Sequence, residues 1–328
     1  MLENQIQTKK SEKTLDRFFS VQKKSLKSLK SLKSAKPILF GLLLMTTLPA
    51  SAGEGIFGWV YGLDLQPKGT WEFEQRAQLT RGHATGTYDF WQSRTEMEYG
   101  VTNDFQLAAY LNSYSITAGG NYTNPDACDQ GSNPCTGGYG VPGTANLDSN
   151  YRRQGVDGVS LEGIWRISNP VTSPIGLGLY IEPTIGQLAD KLSTRLLLQS
   201  NFLDDRLVLA GNIHYEVERL KFDDEPIDET ILDVLLGASY RFAPKWSAGI
   251  EYRFHNDFDG YSFNNPTQRA HFIGPNLHYA TKDWWVTAAW RRQLGGQCWE
   301  PGAAECSDGK VWDSHGVNEY ILKFGMPF

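Results

Sequence analysis

From Thr70 to Phe328 the chain exchanges apolar and polar residues at every second position, in one short stretch after another. A period of two belongs to a strand with one apolar and one polar face, not to an amphipathic helix. In TWEFEQRAQL, Trp71, Phe73, Ala77 and Leu79 share one face, and Glu72, Glu74, Arg76 and Gln78 share the other. In DFWQSRTEMEYGV, Trp91, Thr95, Met97, Tyr99 and Val101 oppose Gln92, Arg94, Glu96 and Glu98. The same alternation puts further charges on polar faces: Glu162 and Arg166 in GVSLEGIWRI, Glu182 in IGLGLYIEPT, and Arg195 in KLSTRLLLQSNF. It does so again for Glu216 in RLVLAGNIHYEVE, Arg241 in LDVLLGASYRF, and Glu251 and Arg253 in WSAGIEYRFH. DFQLAAYLNSY, RAHFIGPNLHYA, WWVTAAWRRQ and NEYILKFGMPF complete a set of twelve. Gly274-Pro275 does not suit a regular ladder, so a bulge is expected there. Such a bulge would place Phe272 with Leu277 and Tyr279, opposite His271, Asn276 and His278.

The connections alternate as well. VTND, NPVTSP, LDDR, APK and TKD are tight, whereas 117–152, 221–229, 257–268 and 296–315 are long and polar. Short turns at one rim and long loops at the other are the pattern of a membrane barrel. Trp71, Trp91, Tyr99, Phe105, Phe202, Tyr240, Phe242, Trp246, Tyr279 and Trp284 fall toward strand ends. Aromatic residues gather in that way at membrane interfaces. The expected fold is all-β: an up-and-down antiparallel transmembrane β-barrel of twelve strands. Its apolar face meets lipid and its polar face lines a lumen.

On these features the chain resembles bacterial outer-membrane β-barrels. In that group a last strand that ends in Phe, with aromatics at alternate positions before it, is the signal read by the barrel-assembly machinery. Tyr320, Phe324 and Phe328 match it position by position. The segments QPKGTWEFE and EYGVTNDFQL look like those of uncharacterised barrels near the phenol-degradation and fatty-acid-transporter-like group.

The opening residues fit export. Residues 1–52 hold ten of the 31 Lys and Arg residues and three of the 37 Asp and Glu residues. The basic run leads into PILFGLLLMTTLPASAG, an apolar stretch too short to span a bilayer easily, with Ala50 and Ala52 as small residues before a cut. Residues 1–52 are therefore expected to be a cleaved signal peptide, and 53–328 a single barrel domain. The basic run is longer than such a signal needs, which leaves room for a translation start downstream of Met1. The remainder of the chain is strongly acidic and makes a poor partner for nucleic acid, whose phosphates need clustered positive charge.

Candidate chemistry is sparse. Lipid hydrolysis would need a His beside a Ser and a third polar group to orient it. The six histidines, His83, His214, His255, His271, His278 and His315, form no local signature of that kind and are read as polar wall residues. Asn256, Asp257 and Asp259 in NDFDGYS could offer oxygens to calcium, but they lack a full ligand set and read as a solvated loop. No metal and no cofactor are expected. Cys128 with Cys135, and Cys298 with Cys306, are expected as local disulfides in the two longest loops, since exported loops meet an oxidising compartment.

The lumen face carries the strongest signal. Beside the charges above, Lys191, Glu218, Asp233, Arg291, Glu319 and Lys323 share it. Charges of both signs at this density pair or stay wet. Twelve strands give a backbone diameter of about 23–25 Å, which long side chains narrow to a polar passage. The expected function is passive passage of a small solute across the outer membrane of a Gram-negative envelope. The alternatives are a lipid-modifying enzyme and a closed barrel that acts through its loops.

Overall fold

The computed structural model describes residues 54–121, 137–146, 148–223, 225–299, 306–312 and 315–328. Eleven strands follow a 3-10 turn at Glu54–Ile56. They are β1 (Trp71–Arg81), β2 (Thr87–Thr102), β3 (Phe105–Gly119), β4 (Tyr151–Ser168), β5 (Gly176–Gly186) and β6 (Ala189–Phe202), then β7 (Leu207–Leu220), β8 (Ile227–Ala243), β9 (Trp246–Asp259), β10 (Pro266–Ala280) and β11 (Trp285–Cys298). A small hairpin, β12 (Cys306–Ser307) with β13 (Lys310–Val311), precedes the last strand, β14 (Asn318–Pro327). Strands β1 to β11 and β14 close into one barrel of sequential antiparallel neighbours. The fold is the expected twelve-stranded up-and-down barrel.

Closure rests on the two ends of the strand series. β1 pairs with both β2 and β14, from Glu72 opposite Pro327 to Arg81 opposite Asn318. Phe328 adds a last rung: its N–H donates to Trp71 O (2.8 Å), and Trp71 N–H donates to Phe328 O (3.1 Å). Tyr320, Phe324 and Phe328 all lie on the outer side of this seam and are exposed.

Alternation sets the faces. Leu161, Ile181, Leu236, Ile250, Leu277 and Leu322 point outward, and each is exposed. An apolar belt of this extent has no place against water and fits a hydrocarbon surround. Trp71 packs on Tyr99 (4.6 Å between ring centres), and Tyr279 packs between Trp246 (4.7 Å) and Trp284 (5.3 Å), all at the short-turn rim. The polar residues turn inward, and Glu72, Glu74, Glu96, Glu98, Glu162, Glu182, Glu216 and Glu251 are all buried there.

One expectation fails in detail. The ladder between β10 and β9 runs straight through Gly274 and Pro275. The shift lies between His271 and Phe272 in the pairing with β11, where Leu294 is the extra residue. Phe272 therefore turns inward with Asn276 and His278 and is fully buried. His271 turns outward, where its ring stacks on Phe254 (4.7 Å). Gly274 permits this regular path because a Cβ there would lie 1.7 Å from Trp290 O.

The face assignment has a direct test. Ile250 is 50% exposed on the outer face. Ile250→Arg should lose about 2–4 kcal/mol of stability in lipid, the usual cost of a cation at mid-membrane depth. Denaturant unfolding of the barrel reconstituted in vesicles measures this loss.

Candidate functional site

The lumen is not lined by strand residues alone. Residues 54–68, between the expected cut and β1, run across its short-turn half. Phe57 and Leu63 are fully buried, and Val60, Tyr61 and Leu65 nearly so. An extended segment with no strand beside it leaves N–H and C=O groups that must find partners elsewhere. Side chains of the wall supply them. Glu251 of β9 accepts three successive N–H groups, from Gly58 (2.7 Å), Trp59 (2.8 Å) and Val60 (3.0 Å). Asn212 of β7 accepts from Tyr61 N–H (2.7 Å) and donates back to Tyr61 O (2.9 Å). Gln199 of β6 accepts from Leu63 N–H (2.6 Å), and Gln106 of β3 accepts from Gln66 N–H (2.8 Å). Thr287 of β11 donates to Gly55 O, and Arg166 of β4 donates to Leu63 O (3.0 Å). The plug thus spans the lumen from β11 to β3.

Its side chains fill sockets. Phe57 and Val60 pack with Val208, Ala210 and Leu235, while Tyr61, Leu63 and Leu65 pack with Ile164, Tyr180 and Leu197. Two glycines of the wall make room. A Cβ on Gly237 would meet the Phe57 ring at 2.7 Å, and one on Gly178 would meet Leu63 Cδ2 at 2.5 Å.

Around and above the plug most charges meet an opposite charge, an aromatic ring or a hydrogen-bond donor. Arg94 meets Glu182 and lies over the Tyr110 ring (4.0 Å). Arg195 lies over Tyr61 (4.7 Å) and Tyr180 (5.4 Å). Tyr110 donates to Glu162, and Tyr180 donates to Glu182. Arg76 and Lys323 approach Glu74 at 3.8 Å and 3.3 Å. Lys191 meets Glu218 and Glu216, and Arg291 meets Glu319. Arg253 donates to Asp233 (2.8 Å). Glu72 accepts from Trp285 Nε1 (3.0 Å), and Glu98 from Gln106 Nε2 (2.9 Å). Glu72 stands directly opposite Glu98, and Glu74 opposite Glu96. Arg76, Gln92, Arg94, Asn112, Glu182 and Lys191 border a cavity of about 160 Å³, the volume of about five water molecules.

The structure therefore gathers most of the sequence-identified charges into one buried network. Arg166 and Arg241 stand apart at the short-turn rim: Arg166 binds Asp104 (2.9 Å) and the plug, and Arg241 reaches Asp204 O (3.4 Å). Asn256 to Asp259 lie within β9 and not in a loop. Asp257 is buried beside His255. Cys298 and Cys306 are joined, whereas Cys128 and Cys135 fall outside the described residues.

Loop residues cover the long-loop end. Tyr139 and Val141 pack on Tyr88, Phe90, Ile116, Leu188 and Phe222. Val311 of the small hairpin packs on Ala270 and Phe272, and exchanges hydrogen bonds with Gln293 (2.8 and 2.9 Å). His83 stacks on Tyr88 (3.9 Å), and burial pushes its pKa down to about 3, so it is neutral at neutral pH.

A plugged twelve-stranded barrel can be set beside known proteins. Residues 49–328 match the family of unknown function DUF6662. The chain belongs to that family. No curated protein matches the sequence. Among solved structures, an outer membrane channel from Pseudomonas putida F1 aligns with a TM-score of 0.53 and 11% identity, over 80% of this chain and 97% of that one. That likeness concerns the barrel fold. The NanC porin aligns at 0.46 with 9% identity, over 77% of this chain and 98% of that one. The translocator domain of the autotransporter NalP from Neisseria meningitidis aligns at 0.45 with 11% identity, over 81% and 90%.

Among the plug contacts, the Glu251 cluster is the most concentrated. A hydrogen bond to a charged group contributes about 1.5–3 kcal/mol. In the Glu251→Ala variant of this DUF6662 protein, amide exchange at Gly58, Trp59 and Val60 should accelerate by tenfold or more, with the strand amides unchanged. Hydrogen–deuterium exchange resolved by peptide checks it.

Proposed function

We propose that this DUF6662 protein is an outer-membrane channel whose lumen passes a small polar solute when residues 54–68 yield. One observation carries the reading. The plug is attached by side chains of the wall and by packing, not by strand pairing. It can therefore leave without opening the barrel ladder, and a lumen of paired charges lies behind it. The short-turn rim faces the periplasm in this reading, so the plug closes the periplasmic half. The solute is small and hydrophilic, because a passage bordered by Arg76, Arg94, Glu182 and Lys191 repels apolar molecules and discriminates by charge.

Residues 1–52 are the export signal, and Tyr320, Phe324 and Phe328 are the residues that the barrel-assembly machinery reads. The outer apolar belt meets outer-membrane lipid. The segments QPKGTWEFE and EYGVTNDFQL, at the start of β1 and across the β2–β3 turn, support a place near the phenol-degradation and fatty-acid-transporter-like barrels. A second reading, a closed barrel acting through its loops, draws on the packing at both ends of the lumen.

Solute flux separates the two. Vesicles containing the intact protein should admit a monosaccharide faster than protein-free vesicles and exclude a trisaccharide. Glu251→Ala should raise the monosaccharide rate several-fold. Light scattering during osmotic swelling measures both rates. Equal rates with and without protein, for both variants, would favour the closed barrel.

A further inference from the structure

At the long-loop end, one cluster takes no part in the plug. His255 and Asp257 lie two residues apart on β9 and both face inward. His315, in the segment just before β14, comes down onto them. His255 Nε2 is 2.8 Å from Asp257 Oδ2, and His315 Nε2 is 3.7 Å from the same oxygen. One nitrogen from each histidine and one Asp257 oxygen all lie within 4.8 Å of one another, and all three residues are buried.

We propose that His255, Asp257 and His315 form a binding site for a divalent transition-metal ion, which ties the segment before β14 to the wall of β9.

Three observations carry this. The first is spacing: metal bonds of about 2.0–2.1 Å set neighbouring donor atoms about 3–3.5 Å apart, within reach of small side-chain adjustments here. The second is orientation. His255 Nδ1 lies 2.6 Å from Asp233 Oδ1. Arg253 Nη2 also approaches that nitrogen (2.6 Å), and its Nε donates to Asp233 Oδ2 (2.8 Å). In the tautomer that keeps the ring proton on Nδ1, against Asp233, the lone pair of Nε2 faces Asp257. A carboxylate behind a histidine is the usual second layer of a metal site. Asp257 is held in turn by Gln268 Nε2 (2.6 Å). The third is unmet demand. Asp257 Oδ1 has no hydrogen-bond partner. Asp257 is 3% exposed, so bulk water does not relieve it. A buried carboxylate oxygen without a donor, beside two imidazole rings, suits a cation.

The donor set chooses the cation. Two imidazole nitrogens and one carboxylate suit zinc, nickel or copper, whereas calcium and magnesium want oxygens. The nearby charges leave a net of one negative charge for the cation to meet. Asp233, Asp257 and Glu319 face Arg253 and Arg291 there. The competing occupant is a proton, with His255 as an imidazolium between Asp233 and Asp257.

The test uses the full folded barrel in detergent, without a polyhistidine tag and dialysed against a chelator. Zinc is added in a calorimeter at pH 7.5, and cobalt(II) in an absorption spectrometer. One zinc per chain should bind, and cobalt should show ligand-field bands. His315→Gln and Asp257→Asn should each weaken binding tenfold or more, with heat-modifiable gel migration reporting that they fold. His271→Gln, on the outer face, should bind as the parent does. If the folded parent binds no zinc, the occupant is a proton and the proposal fails. Equal binding by parent, His315→Gln and Asp257→Asn also overturns it.

Discussion

A polypeptide drawn through a barrel must satisfy its own backbone, and that constraint organises this lumen. Residues 54–68 cannot borrow hydrogen bonds from the ladder, whose N–H and C=O groups are already paired with one another. The wall answers with side chains: Glu251, Asn212, Gln199 and Gln106, each on a different strand and each facing inward. The cluster at Glu251 is the densest, with one carboxylate taking three consecutive amides. Polar residues that look like the lining of a water-filled pore thus serve as anchors for an internal segment. The apolar residues Ile164, Leu197, Val208 and Leu235, out of place on a lumen wall, become sockets for it.

The electrostatics follow from the same enclosure. With the short-turn half filled, the charges above the plug lose much of their water, and isolated ions there would be costly. They are instead arranged as pairs and cation–aromatic stacks, with Arg94 between Glu182 and Tyr110 and Arg195 over Tyr61 and Tyr180. Tyr61 belongs to the plug and also contacts this network, so movement of the plug and rearrangement of the charges are linked through one side chain. The loops add a second enclosure around Tyr139 and Val311.

Much of the fold was legible because a barrel writes its two faces into the sequence at a period of two. The strand series and the inward position of Arg94, Glu182, Glu251 and Arg253 followed from that period alone. Four features were hidden. Gly274-Pro275 suggested a bulge, but the ladder to β11 skips both residues and the shift falls next to Leu294, so Phe272 points inward. Asp257 looked like a loop acid because a strand carried on through polar residues shows no apolar face, yet β9 continues to Asp259. The plug itself, EGIFGWVYGLDLQPK, carries no clean alternation, since its two faces both meet protein. The available hint was the set of apolar residues on faces that should be polar. Pairing across the lumen, as between Arg94 and Glu182, depends on which strands face one another through space and leaves no local pattern.

The central claim is that residues 54–68 are what closes the lumen. Single-channel recording in planar bilayers tests it most directly, with the intact chain compared against a chain lacking those residues and shown to be folded. The account predicts rare, small current steps for the intact protein and frequent, larger steps for the shortened one. Equal conductance in the two, or silence from the shortened barrel, would contradict it.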